Sequence, residues 1–109
     1  MGVVAERFDI VLVELDPTRG HEIRKTRPCV VVSPNDLNLH LATRIVAPMT
    51  TQGRPYPYRV PVQFQGKSGR IVLDQLRTID RSRIVKVLGV LDDATGTAIL
   101  AALGEMFAP

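Results

Sequence analysis

Cysteine is almost missing from this chain. Cys29 stands alone, which excludes an intramolecular disulfide, and its place inside an apolar run marks it as a buried, inert thiol. Histidine is nearly as scarce: His21 and His40, with one buried cysteine, supply no metal cluster. Two familiar motifs lack an essential member. His21-Glu22 begins like a zinc-protease signature, but Lys25 stands where the second histidine is needed, and Gly66-Lys67-Ser68 ends like a phosphate-binding loop whose first glycine is replaced by Pro61. No apolar segment near the N-terminus is long enough for a signal sequence, and no stretch approaches a membrane span, so a cytoplasmic chain without a membrane partner is expected. Repeats, linkers and low-complexity segments are missing as well, and residues 1–109 read as one domain with a single modest core.

Charge is present in moderation but unevenly placed. The fourteen cations are eleven Arg and three Lys, against eleven acids, for a net charge of +3. The arginine bias favours a planar fork that grips phosphate through two N–H groups over the point charge of lysine. From Arg19 to Arg59 there are seven cations (Arg19, Arg24, Lys25, Arg27, Arg44, Arg54 and Arg59) and two acids, Glu22 and Asp36. A basic first half suits a polyanionic partner.

Residues 16–34, DPTRGHEIRKTRPCVVVSP, concentrate this character. Their first half is a basic loop holding His21 and Glu22. Their second half, Cys29-Val30-Val31-Val32, is a continuous apolar run of the kind expected of a strand buried on both faces. Pro28 joins the two: it fixes its own φ and keeps Arg27 out of the helical region, so Arg27 is expected to be extended at the mouth of the strand, in a defined place to meet a phosphate. A solvated basic loop ahead of a core strand is the plainer alternative.

Along the chain, residues 8–15 (FDIVLVEL) read as a first strand ending at Asp16-Pro17, and residues 29–33 as the second. Residues 35–41 suit a short helical turn. A third strand is expected over 43–49, then a loop over 50–57, a fourth strand over 58–64 with Pro61 arguing for an edge or bulge, and a turn over 65–69. A short fifth strand over 70–73 leads into residues 74–80, which alternate polar and apolar, and residues 85–91 form the last strand. From Asp92 the pattern turns helical, with Asp92 or Asp93 as cap and Ile99, Leu103 and Met106 at helical spacing toward the core. Several short strands and one terminal helix indicate a strongly bent sheet or partly closed barrel.

The chemistry then falls to Arg, Thr, Asp, Glu and His. That set fits cleavage of RNA by its own 2′-hydroxyl, where the protein positions the nucleophile, moves protons and stabilises a phosphorane. Candidates are Arg24, Arg27, His21 and Glu22 in the first loop, Thr50 and Thr51 after the third strand, and Asp74 and Arg77 after the fifth. All three groups lie at strand ends, where loops can meet at one mouth. Each has a plainer role: turn hydrogen bonds for Thr50 and Thr51, a turn cap for Asp74, a surface ion pair for Arg77. Tyr56, Tyr58 and Arg54 are candidates for stacking or backbone contact.

Certain motifs, in order, carry a family resemblance over residues 8–83. They are Asp9-Ile10-Val11-Leu12-Val13 with Asp16-Pro17-Thr18, Gly20-His21-Glu22, Thr26-Arg27-Pro28 with the valine run and Ser33-Pro34, Pro48-Met49-Thr50-Thr51-Gln52, and Asp74-Gln75-Leu76-Arg77-Thr78-Ile79-Asp80. In these the chain resembles the MazF/PemK toxins of bacterial toxin–antitoxin systems. The resemblance implies a mainly β fold with a C-terminal helix, a small SH3-like barrel of about six or seven strands of the PemK/CcdB kind. It also implies a homodimeric, ribosome-independent endoribonuclease that uses no metal and no other cofactor. Arg27 and Thr50 match the family's principal catalytic pair, and His21 and Glu22 match a pair that handles substrate. Arg24, Lys25, Thr51, Gln52, Asp74, Gln75 and Arg77 are then expected to contact RNA. Two departures stand out. The first strand often carries a tryptophan where this chain has Val11-Leu12, and one branch of the family pairs its aspartate with an arginine two residues earlier, where this chain has Val72. The second departure favours chemistry by Arg27 with Thr50 over an Asp74-centred mechanism.

The expected function is therefore a sequence-selective endoribonuclease acting on single-stranded mRNA through 2′-hydroxyl attack and held off by a cognate acidic antitoxin. The alternatives are a gyrase-poisoning toxin of the CcdB type without ribonuclease activity and an inert RNA-binding SH3-like module.

Overall fold

In the computed structural model, which describes residues 4–52 and 54–109, the chain forms seven strands, two α-helices and two short 3-10 helices, Leu73–Gln75 and Arg81–Arg83. The strands are β1 (Asp9–Glu14), β2 (Thr26–Val31), β3 (Thr43–Thr50), β4 (Arg59–Phe64), β5 (Lys67–Val72), β6 (Arg77–Asp80) and β7 (Ile84–Val90). The α-helices are α1 (Asn35–Asn38) and α2 (Asp93–Met106). Residues 1–3, part of the N-terminal segment considered above, and Gly53, assigned above to a loop, lie outside the described residues.

Every pairing is antiparallel, and β3 is the strand the others share. One edge of β3 carries β2, from Cys29↔Pro48 to Val31↔Val46. Its other edge carries β6 over Thr43 to Val46 and β5 at Met49 and Thr50. The sheet runs β4-β5-β3-β2-β1-β7, with β6 branching from β3, and curls into a half-barrel whose path ends in free edges at β4 and β7, β6 having a free edge of its own.

Alternation distributes the apolar side chains to two faces. Val30 and Val32 join Ile10, Ala47, Met49, Ile71 and Leu73 on the face that α2 covers, where Ile99 is fully buried. Cys29 and Val31 join Val11, Val13, Leu15, Val46 and Ile79 on the other. The valine run is thus buried on both faces, as its unbroken apolarity implies, and burial pushes the Cys29 thiol up to about 12 against the pull of Arg77 and Arg27. Asp92 is the cap of α2, its carboxylate accepting from the Thr95 amide at 3.3 Å.

Of the boundaries that differ from those read in the sequence, three bear on the site. β2 begins at Thr26, because β1 continues far enough to offer Leu12, Val13 and Glu14 opposite Pro28, Arg27 and Thr26. Arg27 is therefore a strand residue, and Pro28 is tolerated one step before the ladder with β3 begins. β3 extends to Thr50, which pairs with Arg70. The β4–β5 hairpin turns on Gln65 and Gly66 alone, at φ 52° and 75°, in the left-handed geometry that two-residue hairpin loops require. Gly69, expected in that turn, sits instead in β5 against β3, where an added Cβ would lie 2.7 Å from the Thr50 carbonyl oxygen.

Candidate active site

The β2–β3 register decides the central pair. It pairs Cys29 with Pro48 and stops there, so Arg27 and Thr50 both lie two residues beyond the last pair, near the open ends of the two strands. The two side chains line one cavity of about 210 Å³ with Pro28, Thr51, Phe64 and Lys67 among its walls. Two cations and no carboxylate line it, which suits a phosphate.

Arg27 is half-buried, and its Nε donates to the Arg24 carbonyl at 2.9 Å. That bond aims the guanidinium, whose two terminal nitrogens have no hydrogen-bond partner among the described residues. Thr50 Oγ1 accepts from the Gln52 amide at 3.1 Å. This is the turn hydrogen bond of the plainer reading, and it orients the hydroxyl without using its proton, so the O–H remains a donor toward the cavity. The close pass of β5 at Gly69 holds the Thr50 backbone in place.

A second cavity of about 590 Å³ is lined by His21, Glu22, Pro48, Asp74, Gln75 and Arg77 among others. The two cavities share no lining residue; Pro48 lines this one and Met49 the first, and as consecutive residues of β3 they point to opposite faces of the sheet. Gln75 ties the basic loop to the wall of the second cavity: its Oε1 accepts from the Ile23 amide at 2.8 Å and its Nε2 donates to the His21 carbonyl at 3.4 Å. Glu22 folds back on its own turn, its carboxylate accepting from the Arg19 amide. Among the described residues the His21 side chain makes no hydrogen bond, so it is the titratable group left unengaged beside these two carboxylates.

The single mouth expected from the sequence is thus two separate cavities. Arg27, Thr50 and Thr51 share one, His21, Glu22, Asp74, Gln75 and Arg77 share the other, and Arg24 and Lys25 line neither, being exposed on the loop that approaches β2. Gln52 is exposed beside Thr51 and faces a larger cavity between the free edges at β4 and β7 and the start of α2. Arg77 does not form the surface ion pair of the plainer reading. Its Nη1 donates to the Leu15 carbonyl at 3.1 Å and so fastens the end of β1.

Asp74 has an arginine partner after all, from a different strand. Arg59 lies opposite Val72 across the β4–β5 hairpin and reaches Asp74 with a two-pronged contact, Nε to Oδ1 and Nη2 to Oδ2, each 3.0 Å. The fork holds the Asp74 carboxyl below the ordinary carboxylate range, against the opposing effect of partial burial. The Asp74 side chain is 44% exposed, so the pair contributes only ~0–1 kcal/mol to folding. Its consequence is orientation. Arg59 was not among the residues singled out in the sequence. The signal that identifies it is the Gln65-Gly66 pair: a two-residue turn there sets Phe64 against Lys67 and counts back to Arg59 against Val72. Among the described residues no three His, Cys, Asp or Glu side chains are grouped to hold a metal ion.

Known proteins share both the sequence pattern and this fold. The family model described as the PemK-like, MazF-like toxin of type II toxin–antitoxin systems matches residues 6–107. The endoribonuclease toxin MazF of Escherichia coli (strain K12) is 36% identical over 76 residues, which make up 70% of this chain and 68% of that protein. The crystal structure of MazF from Deinococcus radiodurans aligns with a TM-score of 0.83 at 28% identity, covering 94% of this chain and 96% of the other. The fold also matches a MazE–MazF complex from the same organism, with a TM-score of 0.78 at 22% identity over 96% of each chain.

Proposed function

This chain belongs to the family of PemK-like, MazF-like toxins of type II toxin–antitoxin systems, and from that premise we propose that it is an endoribonuclease cutting single-stranded mRNA at selected sequences, without a metal or other cofactor. The observation that carries the reading is that Arg27 and Thr50 line one cationic cavity near the open ends of β2 and β3. Neither gyrase poisoning nor an inert binding module is favoured by relatives that are themselves endoribonucleases.

The scissile phosphate sits between the Arg27 fork and the Thr50 hydroxyl, both donating to its non-bridging oxygens. The 2′-hydroxyl of the preceding ribose gives its proton to His21 on the basic loop. The 2′-oxygen then attacks phosphorus in line, the bond to the 5′-oxygen of the next nucleotide breaks, that oxygen takes a proton from water, and the protonated His21 returns its proton to solvent. The products are a 2′,3′-cyclic phosphate and a free 5′-hydroxyl. His21 is preferred to the carboxylates as base because Glu22 is committed to Arg19 and Asp74 to Arg59. Arg24 and Lys25 on the approach loop, with Thr51, Gln52, Asp74, Gln75 and Arg77, hold the flanking RNA backbone and bases. The protein works as a homodimer in the cytoplasm, and an acidic antitoxin segment silences it by occupying the same cations.

Incubation of the pure protein with a single-stranded transcript yields discrete fragments, unaffected by EDTA. One 2′-deoxy residue immediately 5′ of the cut blocks that cut. Loss of activity in EDTA, or equal cleavage of the 2′-deoxy substrate, replaces this mechanism with attack by an activated water.

A further inference from the structure

Beyond the two cavities, the loop from β3 to β4 presents Tyr56 with its residue surface 52% exposed. The guanidinium carbon of Arg59 stands 4.9 Å from the centroid of that ring. The same guanidinium is held by both carboxylate oxygens of Asp74, and its side chain is only 17% exposed. The tyrosine ring is therefore backed by a cation whose plane is locked from behind, while about half of the residue's surface is open to solvent. Tyr58, also in this loop, is less exposed, at 38%, and no cation stacks on it among the described residues.

We propose that Tyr56 is a stacking platform for an unpaired base of the RNA substrate, with Arg59 and Asp74 as the positioning residues that hold it. The proposal rests on the endoribonuclease reading above and adds a binding subsite to it. Unpaired bases stack on exposed aromatic faces, and such a face accepts any base, so the platform supplies affinity and register while the choice of base falls to hydrogen-bonding groups nearby. Its connection to the cut is direct. Asp74 is at once the anchor of Arg59 and a wall of the His21 cavity. Arg59 is separated from β3 by β5 alone, two strand spacings or about 10 Å from Pro48. The stacked base therefore belongs to a nucleotide close to the scissile one, not to the scissile one itself. Asp74, turned toward Arg59, serves as support for the platform.

The test measures RNA binding and cleavage together. Single-stranded oligoribonucleotides carrying 2-aminopurine at successive positions around the mapped cut show quenching at one position when wild-type protein binds. In Tyr56→Leu that quenching disappears, and Kd and KM rise about 5- to 150-fold, the range for loss of one stacked base, with a smaller change in kcat. Tyr56→Phe keeps the ring and restores both quenching and affinity. Arg59→Gln gives a partial loss. Unchanged quenching and KM in Tyr56→Leu, with the transcript cut as by wild type, overturn the platform and leave the endoribonuclease reading intact. A transcript that wild-type protein does not cut overturns both. Unchanged RNA binding together with weakened inhibition by an acidic antitoxin peptide overturns the platform in favour of a protein contact.

Discussion

Arg27 carries a permanent charge, so its contribution is the stabilisation of charge on the phosphorane and not the loss of a proton. Its position inside a strand, with Nε committed to the Arg24 carbonyl, leaves the outer two nitrogens to act as a fork of fixed direction. Arg27→Lys keeps the charge and loses the fork. Thr50→Ala removes the hydroxyl oriented by the Gln52 amide. Each substitution is expected to slow RNA cleavage about 100- to 1,000-fold, the usual effect of removing one donor to a developing oxyanion, while Thr50→Ser keeps most of the rate. Cleavage rates measured beside thermal melts separate chemistry from folding. Wild-type rates in folded Arg27→Lys and Thr50→Ala protein would remove both residues from the mechanism.

At the scale of elements, three aspartates stand where one secondary structure hands over to the next. Asp74 is held by the Arg59 fork, Asp80 accepts from the Ser82 amide at the turn into β7, and Asp92 accepts from the Thr95 amide at the start of α2. Each hydrogen bond lowers the carboxyl's folded value below its ordinary range. A depressed carboxyl adds stability that is fully present above the unfolded value of about 3.9 and is lost as the pH falls through the lower folded value. Thermal midpoints are therefore expected to be level from neutrality down to about pH 5 and to fall below about pH 4. Asp92→Asn, which keeps a capping oxygen without a titrating group, makes the acid limb shallower. A midpoint unchanged between neutral and strongly acidic solution would contradict this assignment.

The whole molecule leaves an apolar surface uncovered. Val85, Val87 and Val90 are 47%, 41% and 68% exposed on β7, which is also a free edge of the sheet, and Phe107 after α2 is 72% exposed. A bare edge with exposed valines is a place where a chain either pairs or aggregates, and closed twofold pairing is the commonest arrangement that covers such a surface. Light scattering at micromolar concentration is expected to give particles of about 24 kDa, twice the 12.0 kDa chain. Particles of 12.0 kDa across the micromolar range would rule out the dimer at those concentrations.

What the amino-acid sequence determined by itself is local. β-Branched alternation fixes where strands lie, the unbroken Cys29–Val32 run identifies a strand covered on both sides, and Asp92 ahead of a helical period marks the start of α2, because each depends on neighbours within a few residues. The candidate pair Arg27 and Thr50 was legible as two motifs. That they line one cavity was not, since the β2–β3 register spans an eleven-residue connection whose path no local preference sets. Tertiary structure also divided the expected single mouth into two cavities. It gave Asp74 an arginine from β4 in place of the one missing at Val72, and it turned Arg77 from a surface charge into a clasp on β1. Strand residues far apart in the chain meet only through hydrogen-bonded register, and a one-residue difference in where a turn closes moves every such partner to the opposite face.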